Sequence, residues 1–95
     1  MKRIEIIANR SVEDYIMDIL EKADISAYTK IPIIYGRGNT NPKMGTSVWP
    51  EENFMLIIYT DDARAEKLKN LIKEFKGKFT EEGIKFFEVG CLQSV

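Results

Sequence analysis

Histidine is absent from the 95 residues. That removes the side chain that most often acts as general base near neutral pH, and the commonest zinc ligand with it. The single cysteine, Cys91, can form neither an internal disulfide nor a thiolate metal cluster, and it has no histidine to activate it as a nucleophile. Neither sign of charge is in excess. Fourteen basic against fifteen acidic residues leave a net charge of −1, whereas a nucleic-acid binder shows a cationic surplus, so no nucleic-acid partner is expected. Long hydrophobic runs are also missing. None approaches the roughly 20 apolar residues that cross a bilayer, and Glu5 interrupts the N-terminal segment before a signal-type core can form. No direct membrane insertion is expected, and the expected compartment is the cytoplasm. Hydrophobic residues make up 44% of the chain and charged residues 31%, a globular composition that excludes general disorder. The length suits one domain, residues 1–95. So small a domain buries a limited share of its own surface, which makes self-association an expectation.

What is present alternates between the two periodicities of secondary structure. Lys2 to Ala8 reads as a strand. Ser11 then stands as a helix N-cap, with Asp14 three residues on as a weak capping box. Val12, Tyr15, Ile16, Ile19 and Leu20 follow at helical spacing to about Ala23. Ala27 to Tyr35 reads as a second strand. Pro32 within it lacks the donor a central strand needs, so the strand belongs at a sheet edge or carries a bulge. Phe54 to Tyr59 is apolar at every position, which predicts a central strand covered on both faces. Asp61 and Asp62 open a second helix with Ala65, Leu68, Leu71, Ile72 and Phe75 as its stripe and Gly77 at its end. Thr80 to Gly83 reads as a turn, and Ile84 to Val89 as the last strand.

The order β-α-β, connection, β-α-β predicts an α+β, ferredoxin-like βαββαβ sandwich with an antiparallel sheet, its first and third strands central. Helices cover only one face of such a sheet. The third strand is nevertheless apolar on both, with Phe54, Leu56 and Ile58 facing one way and Met55, Ile57 and Tyr59 the other. Other copies of the chain are the expected cover for the second face.

The second and third strands should form a hairpin, which needs only a few residues to turn. Here 36–53 intervene, holding three of the six glycines, two of the three prolines and the only tryptophan. Connections of this length are usually functional or disordered. Gly36-Arg37-Gly38 at its start combines freedom for backbone N–H groups to approach an anion with a guanidinium fork suited to phosphate or carboxylate. It is neither a dinucleotide fingerprint nor a Walker A loop, because Asn41 replaces the third glycine and Lys43 precedes Gly45-Thr46-Ser47. Asn39, Asn41, Lys43, Met44 and Trp49 are the candidate partner contacts, Trp49 doubling as a plug onto the chain's own surface. The basic residues of the second helix are interrupted by Glu66 and Glu74 and read as a solvated face. Asp61/Asp62 and Glu81/Glu82 suit a cap and a turn rather than acid–base chemistry. No catalytic or metal constellation emerges.

The element order, Tyr35-Gly36-Arg37-Gly38 and Gly83-Ile84-Lys85-Phe86-Phe87 together resemble the PII-like signalling proteins. The first segment is similar to the entry into their long T-loop, the second to their B-loop and following strand. The second departs from the family pattern in having one glycine, with Ile84 between it and Lys85. The loop sequence from Met44 to Asn53 is similar to relatives encoded beside transporters. The resemblance implies a non-enzymatic homotrimer in which Gly36, Arg37 and Gly38 of one chain and Gly83 and Lys85 of its neighbour form an effector site at the intersubunit cleft. It implies an adenine nucleotide (ATP, ADP or AMP) as effector, and a transporter or enzyme as the partner regulated through the loop. A CutA-type trimer for divalent-metal handling shares the architecture and is the alternative; the missing histidine and cysteine ligands count against it.

Overall fold

The computed structural model describes residues 1–36, 52–79, 83–90 and 93–95. Four strands form one antiparallel sheet: β1 (Lys2–Asn9), β2 (Thr29–Ile34), β3 (Asn53–Thr60) and β4 (Lys85–Gly90). Two helices, α1 (Glu13–Lys22) and α2 (Asp62–Lys78), lie against one face. The strand order is β2-β3-β1-β4, which puts β1 and β3 inside and β2 and β4 at the edges. This is the predicted βαββαβ arrangement.

The core is the seam between the helices and the two inner strands. Ile4, Ile6 and Ala8 of β1 and Phe54, Leu56 and Ile58 of β3 are fully buried, under Ile16 and Leu20 of α1 and Ala65, Leu68 and Ile72 of α2. Period-2 strands and period-3.6 helices each turn an apolar set to this seam. Each large side chain buried there contributes about 1.5–3 kcal/mol. Every buried residue described is apolar, so the helix layer encloses no polar group that needs a partner.

Pro32 lies on an edge strand that is also irregular: Ile31 pairs with Met55, and the next paired residue, Ile34, with Asn53. Both accommodations expected of the proline are therefore present. β2 is shorter than the sequence suggests, starting at Thr29 rather than Ala27. Asp24, at φ +61°, begins the turn that delays it.

The start of α1 departs from expectation. A single 3-10 turn, Arg10–Val12, comes first, and its cap is Asn9, whose Oδ1 accepts from the Ser11 N–H at 2.8 Å. Ser11 is thus the capped residue and not the cap. The residue at the N-cap of α1 is Val12, which has no side-chain bond to offer. Tyr15, assigned to the apolar stripe, is 55% exposed. Its ring lies 5.8 Å from Phe75 and 5.9 Å from Phe79, at the rim of the helix layer rather than beneath it. Gly77 does not end α2, which continues to Lys78. Residues 80–82 of the expected Thr80–Gly83 turn lie outside the described residues.

Asp61 caps α2 as expected. Its Oδ1 accepts from the Arg64 N–H at 2.8 Å and its Oδ2 pairs with the Arg64 guanidinium. The backbone bond first, and the side-chain bond second, hold the Asp61 carboxyl below the usual carboxylate range. Stability from this cap is fully present above the ordinary carboxylate pKa and is lost as pH falls through the depressed value. Asp61→Ala should therefore melt roughly a few degrees lower at pH 7 and lose less stability than the parent between pH 4 and pH 2. Melts across that range check it, and parallel acid profiles would refute the cap's role.

Candidate functional site

Strand directions place both ends of the long connection on one rim of the sheet. β1 ends there, β2 ends there, and β3 and β4 begin there. Gly36 follows the last residues of β2, Glu52 precedes β3, and Gly83 and Lys85 lie at the start of β4. A Cβ added at Gly36 or Gly83 would meet nothing within 4 Å. Among the described residues no contact inside one chain requires glycine at either position.

The connection's second stem is tied to the 3-10 turn that follows β1. The Arg10 N–H donates to the Glu52 carbonyl at 3.0 Å, and the Arg10 guanidinium meets the Glu52 carboxylate at 2.6 Å. The sequence offered little to single out this pair, because its members are 42 positions apart and only the β1–β3 register, Asn9 opposite Asn53, brings them together.

Gly36 and the Gly83–Lys85 segment share a rim but stand at opposite edges. Three strand spacings separate β2 from β4, about 14 Å. Among the described residues of one chain the two segments therefore do not adjoin. Arg37, Gly38, Asn39, Asn41, Lys43, Met44 and Trp49 lie outside the described residues.

Two grooves occur elsewhere. One of about 300 Å³ runs between α2 and β4 and is lined by Lys69, Lys73, Lys76, Ile72, Phe86 and Glu88. Lys69 spans it, pairing with Glu66 at 2.9 Å and Glu88 at 3.4 Å. Hydrogen bonding to Glu66 is the largest cause that holds the Lys69 ammonium above its usual pKa. The other, of about 260 Å³, sits at the opposite rim beside Asp24, Ser26, Thr60 and Arg64. Neither contains a residue expected at the effector site.

The sheet face away from the helices carries the other prominent feature. Tyr59, Phe87 and Val89 are about half exposed, at 51%, 51% and 54%, and Ile31 is 38% exposed. Among the described residues no helix or loop packs over them. Arg3 and Glu5 of β1 stand in the middle of this face. Glu5 first, and Tyr59 second, hold the Arg3 guanidinium above its ordinary pKa through side-chain hydrogen bonds. Sequence reasoning missed this cluster; the alternation of Arg3 and Glu5 with Ile4 and Ile6 placed it on the open face.

Among the described residues no three or more His, Cys, Asp or Glu side chains gather as a metal site, and no helix is long and apolar enough to cross a membrane.

The same architecture occurs in solved structures. CPII of Thiomonas intermedia K12, bound to ADP and bicarbonate, superimposes with a TM-score of 0.67 at 19% identity, over 93% of this chain and 84% of that one. Its apo form gives 0.61 at 19% identity, over 93% and 87%. A PII-like signalling protein of Thermus thermophilus gives 0.60 at 19% identity, over 93% and 83%. No curated protein matches the chain. At these identities the structures speak for the fold. The family comes from the sequence model of the nitrogen regulatory protein P-II, which matches residues 1–89. The chain belongs to the P-II family, and it is accordingly a regulatory protein and not an enzyme.

Proposed function

We propose that residues 1–95 act as one domain of a cytoplasmic homotrimer that binds an adenine nucleotide (ATP, ADP or AMP) at its intersubunit clefts and regulates a transporter or enzyme through the connection between β2 and β3. The observation that carries this reading is the placement of Gly36 and of Gly83 with Lys85 at one rim but at opposite edges of the sheet. Joining them around one ligand takes the β2 edge of one copy and the β4 edge of the next. The apolar open face supports the same assembly, since a trimer would cover it. The solved relatives bound to ADP, and to ADP with AMP, support the choice of ligand. P-II membership favours this reading over divalent-metal handling.

Gly36, Arg37 and Gly38 would offer backbone N–H groups and a guanidinium to the phosphates. Gly83 would let the neighbour's backbone approach, and Lys85 would add a second cation. Asn39, Asn41, Lys43, Met44 and Trp49 would face the partner. The ligand would act by binding loop conformers unequally.

Calorimetry of the assembled protein with ATP, ADP and AMP tests the proposal. At least one nucleotide should bind. Lys85→Ala should weaken that binding by about tenfold or more, the scale of a lost charged hydrogen bond, while the melting temperature of the free protein stays within a degree or two of the parent. Silence toward all three nucleotides would remove nucleotide sensing. Unchanged affinity in the variant would remove Lys85 from the site.

A further inference from the structure

The open sheet face holds an ion pair where an interface core would normally be apolar. β1 is an inner strand, so Arg3 and Glu5 stand away from both edges. Tyr59 and Val89 flank Arg3 across the neighbouring strands, and Ile57 and Phe87 flank Glu5. Both charged side chains are already only about one-third exposed, at 33% and 32%. Covering this face removes them from water, and buried charges are tolerated only when paired and hydrogen-bonded.

The pairing within one chain is incomplete. Arg3 Nε–H and an Nη2 N–H donate to the same Glu5 oxygen, Oε1, at 3.1 and 2.8 Å, and Nη1 donates to the Tyr59 hydroxyl. A guanidinium carries five N–H donors, so two stay unused in this arrangement. The Tyr59 hydroxyl, accepting from Arg3, keeps its own proton to donate. Glu5 Oε2 accepts from no described residue. One face thus presents spare donors and a spare acceptor side by side, with no net charge from the Arg3–Glu5 pair. A purely acidic or purely basic partner would leave one of these sets unmet. A second copy of the same face brings both.

We propose that Arg3, Glu5 and Tyr59 form a self-complementary polar key through which each copy hydrogen-bonds to its neighbours at the centre of the assembly, the Arg3 and Tyr59 donors of one copy meeting Glu5 Oε2 of another. This rests on the trimer reading above and adds the residues that decide which surfaces mate. The apolar rim supplies area, which any oily surface could match. The polar centre rejects a surface that cannot return its hydrogen bonds.

Sedimentation velocity and native mass measurement over a dilution series test it, on the parent, Glu5→Leu, Arg3→Met/Glu5→Leu and Tyr59→Phe. The parent should be a trimer. Glu5→Leu strands an unpaired guanidinium on each copy, so its dissociation should begin at a concentration at least about tenfold higher. The double variant removes both charges and should assemble within about threefold of the parent, because apolar replacement of a buried pair is often neutral. Tyr59→Phe should shift dissociation in the same direction as Glu5→Leu by a smaller factor. Circular dichroism and a cooperative melt of dilute Glu5→Leu show that its subunit is folded. A Glu5→Leu chain that assembles as the parent does overturns the key and leaves the trimer standing. A double variant as weak as Glu5→Leu also overturns it, since charge pairing would then not be the cause. A parent that stays monomeric overturns the trimer reading and this inference together.

Discussion

Phe54→Ala should lower the unfolding free energy by about 3–5 kcal/mol. Phe54 is fully buried on the central strand β3, opposite Ala8 and beneath the helices. Its truncation removes transfer free energy and leaves a cavity that the paired strands cannot collapse to fill. A domain of this size is stable by only about 5–15 kcal/mol. At about 4–8 °C per kcal/mol, the expected fall in melting temperature is at least about 12 °C. Urea or thermal unfolding at fixed protein concentration measures it. A loss of less than about 1 kcal/mol would mean that Phe54 does not sit in a tight core.

Phe87→Asp should behave in the opposite way: a folded subunit that no longer assembles. Phe87 is half exposed on the open face, so one chain alone loses little when it is replaced. Covered by other copies, a phenylalanine contributes about 1.5–3 kcal/mol by burial. An aspartate there has to be desolvated, and it stands opposite Glu5 of β1, where like charges repel. With one such site on each of three copies, the proposed trimer should be lost at micromolar concentration while the far-ultraviolet circular dichroism and a cooperative melt persist. A light-scattering mass equal to the parent's would place the interface elsewhere. Nucleotide binding should disappear with the trimer, because the two halves of the proposed cleft come from different copies.

The contrast between Phe54 and Phe87 shows how far the chain could be read unaided. Ile4, Ile6 and Ala8 alternating with Arg3, Glu5 and Ile7 specify a strand with one covered face. The helical spacing from Ala65 to Phe75 specifies α2, and Pro32 sends β2 to an edge. These are local signals, set by backbone period and by a missing donor. Ser11 was misassigned as the cap of α1 because Asn9 and Ser11 are both competent caps and the helix itself begins only after Val12. The chain leaves β1 in a 3-10 turn, which Asn9 caps in its place. Tyr15 fits the helical stripe by spacing, but it falls at the rim with Phe79.

The candidate site was legible as composition and not as place. Gly36, Gly83 and Lys85 could be named from glycine and charge alone, yet nothing local says that they share a rim at opposite edges. The link between Arg10 and Glu52 and the meeting of Arg3 with Tyr59 were beyond local reading for the same reason. By itself the sequence determined the elements and the antiparallel sandwich, because each follows from the periodicity of neighbouring residues. Only the tertiary structure decided which residues meet across the sheet, which edges stay open and what lies on the uncovered face, because strand order and register join positions that no local signal connects.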